Sequence, residues 1–256
     1  IKPDKQAKLS RILRQFSVRR TKREVLPFLP DKTYSRMYVD MLPKQRQLYD
    51  ELRNYMIAEL GQEIVEAPNI LTQMLRLRQI ALSPRLVGLN CDESAKLQAL
   101  LEYLLEERIP AKKQTVIMTE FLQWAKLLER ELSKKGVRVV SITGDRTSHQ
   151  KYQAQQAFQE GDADVAVCTI KAAGVSIDLT AADTVIFTDL SWTDVDNKQA
   201  EDRVHRASQT KKVQIIHLFA KDSIDDVIFD RTLLKALTSR RILDNDEKEK
   251  LKVLIS

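Results

Sequence analysis

The feature that most restricts the fold of this chain is an alternation of short apolar segments with amphipathic ones that begins at Ser94. The apolar segments are TVIM (115–118), VRVVSI (137–142), DVAVCT (164–169), DTVIFTDL (183–190) and VQIIHLFA (213–220). They are rich in β-branched residues and nearly free of charge, as strands buried on both faces are. Helical segments come between them, so we predict an α/β fold: a parallel sheet with helices on both faces.

A second, different region precedes this alternation. All seven prolines lie at or before Pro110, and turns such as VLPFLPDK and LPKQ separate segments with apolar residues at helical spacing. We therefore predict a helical region over residues 1–93, a sheet-bearing domain over 94–222, and bracing helices over 223–256.

Composition excludes several classes of protein. No apolar run of the 256 residues approaches the ~20 needed to cross a bilayer, and IKPDKQAKLS is no signal peptide. The missing initiator Met indicates an excised fragment. Cys91 and Cys168 have neither disulfide-framework nor metal-ligand spacing, and His149, His205 and His217 form no ligand cluster. We expect an intracellular protein without a metal site.

The net charge of +6 is unevenly placed, because residues 1–93 carry 17 basic and 11 acidic side chains while the remainder balances. The excess is densest between Arg11 and Arg23. Such a cluster attracts phosphate backbones, which makes Arg19, Arg20, Lys22 and Arg23 candidate DNA contacts. A solvated helix face or a docking surface for a partner explains the same cluster equally well.

The segment QAEDRVHRASQ holds Gln199, Arg203 and Arg206 at positions 0, 4 and 7. On an α-helix these positions fall on one face, while His205 points away. A solvated polar stripe is the plain alternative. The predicted helix follows the carboxyl end of DTVIFTDL, and ligands of parallel sheets bind at the carboxyl ends of strands. We therefore expect the basic face at that edge of the sheet.

Further segments accompany this one in a recognisable order. They are VRRTKREVLPFLPDK (18–32), VIMTEF (116–121), SITGDRTSH (141–149), TIKAAG (169–174) and AADTVIFTDLSWTDVDNKQAEDRVHRASQ (181–209). Together they resemble the Swi/Snf family of helicase-like ATPases in superfamily two, over about residues 14–226. The match is to the second RecA-like lobe with its preceding helical region.

The resemblance implies that Arg203 and Arg206 reach across a cleft to a triphosphate that the first lobe holds. Phosphoryl transfer spreads negative charge over the γ-phosphate oxygens, and a guanidinium offers a permanent charge with a planar fork of donors. Gln199 is implied to order the same helix or to hydrogen-bond near the nucleotide.

The resemblance also implies a loop that couples the nucleotide state to the nucleic-acid track, with Thr169, Lys171, Gly174 and Asp178. Gly174 would let the backbone approach a phosphate closely. The family usually has a second glycine at Ala173 and an asparagine at Asp178, so the chain resembles a divergent member.

Three residues at strand ends, Thr119, Arg146 and Ser148, match positions where the family touches a DNA backbone. Serine and threonine at such positions are as often helix caps.

No phosphate-cradling G-x-x-x-x-G-K-[ST] loop occurs in the chain. ATP and Mg²⁺ are therefore expected to be held mainly by an absent N-terminal RecA-like lobe of the same parent protein, and the isolated chain is expected to be inactive. The segment Asp92–Ser94 superficially resembles a magnesium-binding acidic motif, but it precedes a predicted helix instead of ending an apolar strand.

The function that the resemblance implies is one half of an ATP-driven motor that translocates along double-stranded DNA, with protein complex subunits as further partners. Its expected location is the cytoplasm or nucleoid of a prokaryote, or the nucleus of a eukaryote. A strand-separating RNA or DNA helicase lobe, and a non-catalytic nucleic-acid-binding module, stay open as alternatives.

Overall fold

A single parallel sheet organises the computed structural model, which describes residues 22–60, 67–172 and 177–243. The strands are β1 (Lys32–Val39), β2 (Thr115–Thr119), β3 (Val139–Ile142), β4 (Val165–Thr169), β5 (Thr184–Phe187) and β6 (Val213–Ala220). Their order in space is β1-β6-β5-β2-β4-β3, and all neighbouring pairs are parallel. The predicted α/β class is thereby confirmed.

Helices cover both faces of this sheet. They are α1 (Lys22–Val25), α2 (Pro43–Leu60), α3 (Ala67–Leu82), α4 (Ala95–Tyr103), α5 (Leu122–Lys134), α6 (Ser148–Gln159), α7 (Asp194–Glu201) and α8 (Ile224–Leu243). A 3₁₀ turn, Pro84–Val87, follows α3, and a π-helical turn, Leu104–Arg108, extends α4. Ser94 caps α4, because its Oγ accepts the backbone N–H of Leu97 at 3.2 Å.

The first region is not purely helical, since β1 is a full edge strand of the sheet. All eight of its residues pair with β6, from Lys32 opposite Val213 to Val39 opposite Ala220. The prediction of a helical region over residues 1–93 is wrong for this segment. Polar and apolar residues do not alternate regularly along KTYSRMYV, whereas the burial of its side chains does alternate from Tyr34 to Val39.

Successive strand residues pack into two separate apolar clusters, one on each face. On β2, Val116 and Met118 join the cluster that includes Tyr49 of α2, whereas Ile117 joins the cluster that includes Trp124 of α5. The first cluster also includes Ile228 of α8. Segments of all three predicted regions therefore share one core, and the predicted boundaries after residues 93 and 222 stay a prediction.

Buried ion pairs join elements that are distant in sequence. Lys96 of α4 is fully buried; its Nζ lies 2.6 Å from Asp225 of α8 and donates to the carbonyl oxygen of Thr188 at 2.6 Å. Arg108 similarly bonds Asp183, which precedes β5. Buried charges are tolerated only when paired in this way, so both pairs fix how the helices seat on the sheet.

An aromatic group surrounds His217 in the middle of β6. Its ring stacks on Phe219 with centroids 5.9 Å apart and contacts Phe187 and Phe229 at 5.6 Å each. Burial, with a smaller effect of the Arg36 charge, lowers the pKa of His217 from 6.5 to about 4. The imidazole is therefore neutral in the folded protein.

This depressed pKa makes the stability of the fold depend on pH. The unfolded chain binds a proton that folded His217 does not, so the stability present above pH 6.5 is lost as the pH falls toward about 4. We expect His217 to account for about 2 kcal/mol of lost unfolding free energy between pH 7 and pH 5. Urea unfolding at the two pH values measures it. The loss of unfolding free energy between pH 7 and pH 5 should be about 2 kcal/mol smaller in the variant H217F. In H149Q, which changes an exposed histidine, the loss should equal that of the parent.

Candidate functional site

The segment that carries Gln199, Arg203 and Arg206 is only partly helical. Helix α7 ends at Glu201, and the chain from Asp202 onward forms turns. The carbonyl oxygen of Arg203, which a continuing helix would bond to residue 207, instead accepts the backbone N–H of Leu179 at 2.9 Å. The prediction that one helix face carries all three side chains is therefore wrong.

The three side chains nevertheless converge on one open cavity of about 380 Å³, which we call the arginine cavity. Its lining residues are Lys22, Gln199, Asp202, Arg203, Arg206 and Ala207. Three cationic groups and one carboxylate give the lining a positive balance, which favours an anionic ligand.

The positive charges of the two guanidiniums repel one another. Partial burial and then the neighbouring charge of Arg206 lower the pKa of Arg203, against an opposing effect of Asp202. The guanidinium of Arg206 forms no hydrogen bond or ion pair with any residue that the structure describes. Two like charges held side by side favour an anion that joins both.

The arginine cavity lies at the amino-terminal edge of the sheet. His205 Nε2 lies 2.6 Å from the carbonyl oxygen of Pro30, just before β1, and Gln209 Nε2 donates at 2.9 Å to that of Ala182, just before β5. The prediction that the arginines lie near the carboxyl ends of the strands is therefore wrong. Helix α7 starts at that end, but its eight residues run back about 12 Å, close to the length of β5.

The N-terminal segment forms one wall of the cavity. Lys22 Nζ donates to the carbonyl oxygen of His205 at 2.9 Å and lies 2.7 Å from Asp202 Oδ1. Lys22 is thereby held at the arginine cavity, and its assignment as a DNA contact stays a prediction. Arg19, Arg20 and the side chain of Arg23 lie outside the described residues.

Thr119 does not face a nucleic acid, because its side chain is fully buried at the carboxyl end of β2. Its hydroxyl donates to Asp189 Oδ1 and accepts the backbone N–H of Phe121 at 3.1 Å. The prediction of a DNA contact at Thr119 is wrong, because the buried hydroxyl both donates and accepts hydrogen bonds within the protein.

Arg78 of α3, which the sequence did not single out, occupies the same carboxyl edge. Its guanidinium is 4% exposed and donates to Glu120 at 3.1 Å and to the carbonyl oxygen of Leu190 at 2.6 Å. It also lies 3.5 Å from Asp189, whose pKa is raised because burial outweighs the Arg78 charge. A charged residue within the apolar stripe of α3 was the available signal for this site.

The other predicted DNA contacts lie beyond β3. Arg146 is half-buried and pairs with Glu129 at 3.2 Å. Ser148 is exposed as the first residue of α6, while the cap of that helix is Thr147, whose side chain accepts the backbone N–H of Gln150 at 3.2 Å. Both DNA assignments stay predictions.

The predicted coupling loop starts at the carboxyl edge of the sheet and ends next to residues 202–208, the turn that carries Arg203 and Arg206 and that we call the arginine turn. Thr169 is the buried last residue of β4, and Lys171 is exposed. Gly174 lies outside the described residues. Asp178 Oδ1 accepts the backbone N–H of Thr180 at 3.0 Å, next to the Leu179 N–H that bonds Arg203. The loop therefore makes a direct backbone contact with the arginine segment.

Within residues 22–60, 67–172 and 177–243, no group of three or more histidine, cysteine, aspartate or glutamate side chains is arranged to hold a metal ion. None of the helices described there is long and apolar enough to cross a membrane.

Two family models match the chain. A SNF2-related domain matches residues 2–86, and a helicase conserved C-terminal domain matches residues 95–208, including the arginine segment. The chain belongs to the SNF2-related helicase family. Its sheet is the RecA-like fold of SNF2 ATPase domains.

Individual relatives agree with this assignment. An ATP-dependent helicase of Mycoplasma pneumoniae is 32% identical over 213 residues, which are 82% of this chain and 21% of that protein. The chain thus spans about a fifth of the length of such relatives. The C-terminal part of the Fun30 ATPase domain superposes with a TM-score of 0.69 at 20% identity, over 85% of this chain and 99% of that one. The SWI2/SNF2 ATPase core domain of Sulfolobus solfataricus gives 0.67 at 24% identity, over 95% and 50%.

The burial of Arg78 leads to a stability prediction. R78M would leave the carboxylates of Asp189 and Glu120 without their shared cation, so we expect a loss of about 3–5 kcal/mol in unfolding free energy. Urea unfolding at pH 7 measures it. The matched control is R76M on the same helix, where the side chain is exposed and a change within about 0.5 kcal/mol is expected. A loss below ~1 kcal/mol for R78M would show that the carboxylates find other partners.

Proposed function

We propose that this chain is the C-terminal lobe of an ATP-driven motor that translocates along double-stranded DNA, with Arg203 and Arg206 as its arginine fingers. The observation that carries the proposal is the arginine cavity, in which both guanidiniums line an open, positively charged surface. A pair of arginines held only for stability would be expected in internal ion pairs, and Arg206 forms none with the described residues.

The cavity suits the terminal phosphate of a nucleotide. Negative charge spreads over the equatorial oxygens of a transferring phosphoryl group, and two guanidiniums fixed beforehand stabilise that charge without reorganising. Gln199 is exposed in the same lining and supplies an uncharged donor and acceptor beside the nucleotide.

ATP and Mg²⁺ would be held mainly by a first RecA-like lobe. The chain has no phosphate-cradling loop, and its described residues offer no metal-ligand group. The match to only half of the SWI2/SNF2 core domain supports the existence of that second half. We infer that this chain alone does not turn over ATP, and that such a motor acts inside the cell.

The loop after β4 would link the nucleotide to the track. Lys171 is exposed at its start, and Leu179 near its end bonds the backbone of Arg203. A shift of the arginine turn when the lobes close around ATP would therefore move this loop. Alternating contacts of the two lobes with the DNA backbone would then produce inchworm steps.

The DNA contacts would be made to phosphates and would carry no sequence information. Lys171 and Arg146 follow the carboxyl ends of β4 and β3, and Ser148 is exposed beside them. Arg19, Arg20 and Arg23 complete the proposed set. Binding is therefore expected to be nonspecific in sequence and sensitive to salt.

The variant R206A, in the intact two-lobed protein, tests the arginine fingers. We expect ATP turnover to fall by at least ~10³-fold, the effect of such fingers in other nucleotide hydrolases, because the charge on the γ-phosphate loses its partner. Phosphate release measures turnover, and the melting temperature should stay nearly unchanged. R231A, at an exposed arginine of α8, is the control and should retain turnover. Normal turnover in R206A would remove the finger assignment.

The variant R146Q/K171Q tests the DNA contacts. Each neutralised phosphate contributes about 0.9 to the slope of log affinity against log salt concentration, so we expect the slope to become shallower by about 2. Titration of a labelled DNA duplex at several salt concentrations measures it. The control is K112Q/K113Q, which removes two exposed charges before β2, at the opposite edge of the sheet. An equal change in both variants would show a general charge effect and no specific track.

A further inference from the structure

The contacts behind the arginine cavity assign a role to residues that contact neither of its arginines. Glu201, the last residue of α7, is 7% exposed at its side chain, and its Oε2 accepts Lys32 Nζ and Tyr34 Oη at 2.9 Å each. The next residue, Asp202, lines the cavity beside the arginines. Its Oδ1 lies 2.7 Å from Lys22 Nζ and 3.1 Å from Lys32 Nζ.

Asp202 is close enough to the two arginines to compete with an anionic ligand for them. A carboxylate next to a guanidinium forms a bidentate pair wherever the geometry allows it, and such a pair would neutralise the cavity. Here two lysines from the N-terminal segment hold the carboxylate from the other side. We propose that Lys32 and Lys22 are positioning residues, which restrain Asp202 and Glu201 so that Arg206 stays available to an anion.

The charges around Lys32 agree with this role. Burial alone would lower the pKa of Lys32, but the charges of Glu201 and Asp202 outweigh it and raise the pKa. Burial would raise the pKa of Asp202, but Lys32 and Lys22 lower it instead. Lys32 therefore stays charged at neutral pH, as the restraint requires.

Lys32 and Glu201 are far apart in the sequence but in direct contact in the structure. Lys32 is the first residue of β1, and its pairing with Val213 places it beside the end of α7, 169 residues away from Glu201 in sequence. A segment outside the helicase C-terminal match thereby reaches into the site that the match contains. The inference rests on the proposed function, because the lysines hold Asp202 away from Arg206, the proposed finger.

The test is ATP turnover by the intact two-lobed protein carrying K32M. We expect kcat to fall by at least about tenfold while KM for ATP stays within about twofold, since the finger is misplaced and the first lobe still binds the nucleotide. K32R, which keeps the charge, should stay within about twofold of the parent. K211M is the matched control, because Lys211 is exposed near the same edge and its Nζ donates only to the carbonyl oxygen of Ala181 in the described part of the chain.

A second change separates positioning from simple destabilisation. In K32M/D202N the amide can no longer neutralise an arginine, so kcat should recover by about fivefold or more from the K32M value. A structural defect would persist in that double variant. Thermal melting checks the fold, and if K32M alone does not fold, K32M/E201Q removes the buried charge that it strands and serves as the background for D202N.

The outcomes distinguish this inference from the function on which it rests. Normal kcat in K32M, or no recovery in K32M/D202N, together with an inactive R206A would overturn the positioning role and leave the fingers in place. Normal kcat in R206A would overturn the finger assignment, and the positioning role with it.

Discussion

The parallel pairing of β1 with β6 is the constraint on which the rest of the site depends. It runs over eight residues and adds a strand from the N-terminal segment to a sheet otherwise built from residues 115–220. Because the register is fixed, Lys32 and Tyr34 meet Glu201 at the end of α7, and Pro30 meets His205. The arginine turn, which lacks helical hydrogen bonds beyond its first residues, takes its shape from these contacts.

The class of fold could be predicted from the sequence because strands buried on both faces leave a clear apolar pattern. The end of α7 at Glu201 could not be predicted, because residues at helical spacing share a face only if the helix continues through all of them. The backbone carbonyl of Arg203 accepts a hydrogen bond from Leu179, and a contact of this kind produces no periodic pattern in the sequence. The cavity residues were nevertheless identified correctly as a group, because a tight turn and a helix face both bring positions 199, 203 and 206 together.

The buried charges were the least predictable part of the molecule. Lys96 and Lys32 each lie in a segment whose pattern favours a solvated cation. Both, like Arg78, are enclosed by carboxylates or carbonyl oxygens from segments that are remote in sequence. Burial of such a group costs several kcal/mol unless its partners are in place. These pairs therefore link the N-terminal segments to the sheet through contacts that are costly to break one partner at a time.

The two edges of the sheet carry different groups, so the proposed nucleotide site and the proposed DNA contacts lie at opposite ends of the strands. The arginine cavity lies at the amino-terminal edge, while Lys171 and Arg146 follow strand ends at the carboxyl edge. Strand β4 spans the roughly 16 Å between the edges, and the chain that follows it returns to the first edge to bond Arg203 through Leu179. Under the proposed function, a displacement of residues 202–208 would reach the opposite edge through the backbone bond between Leu179 and Arg203. On this view the N-terminal lysines set the resting position of the arginine turn, and the loop after β4 carries its movement to the DNA side.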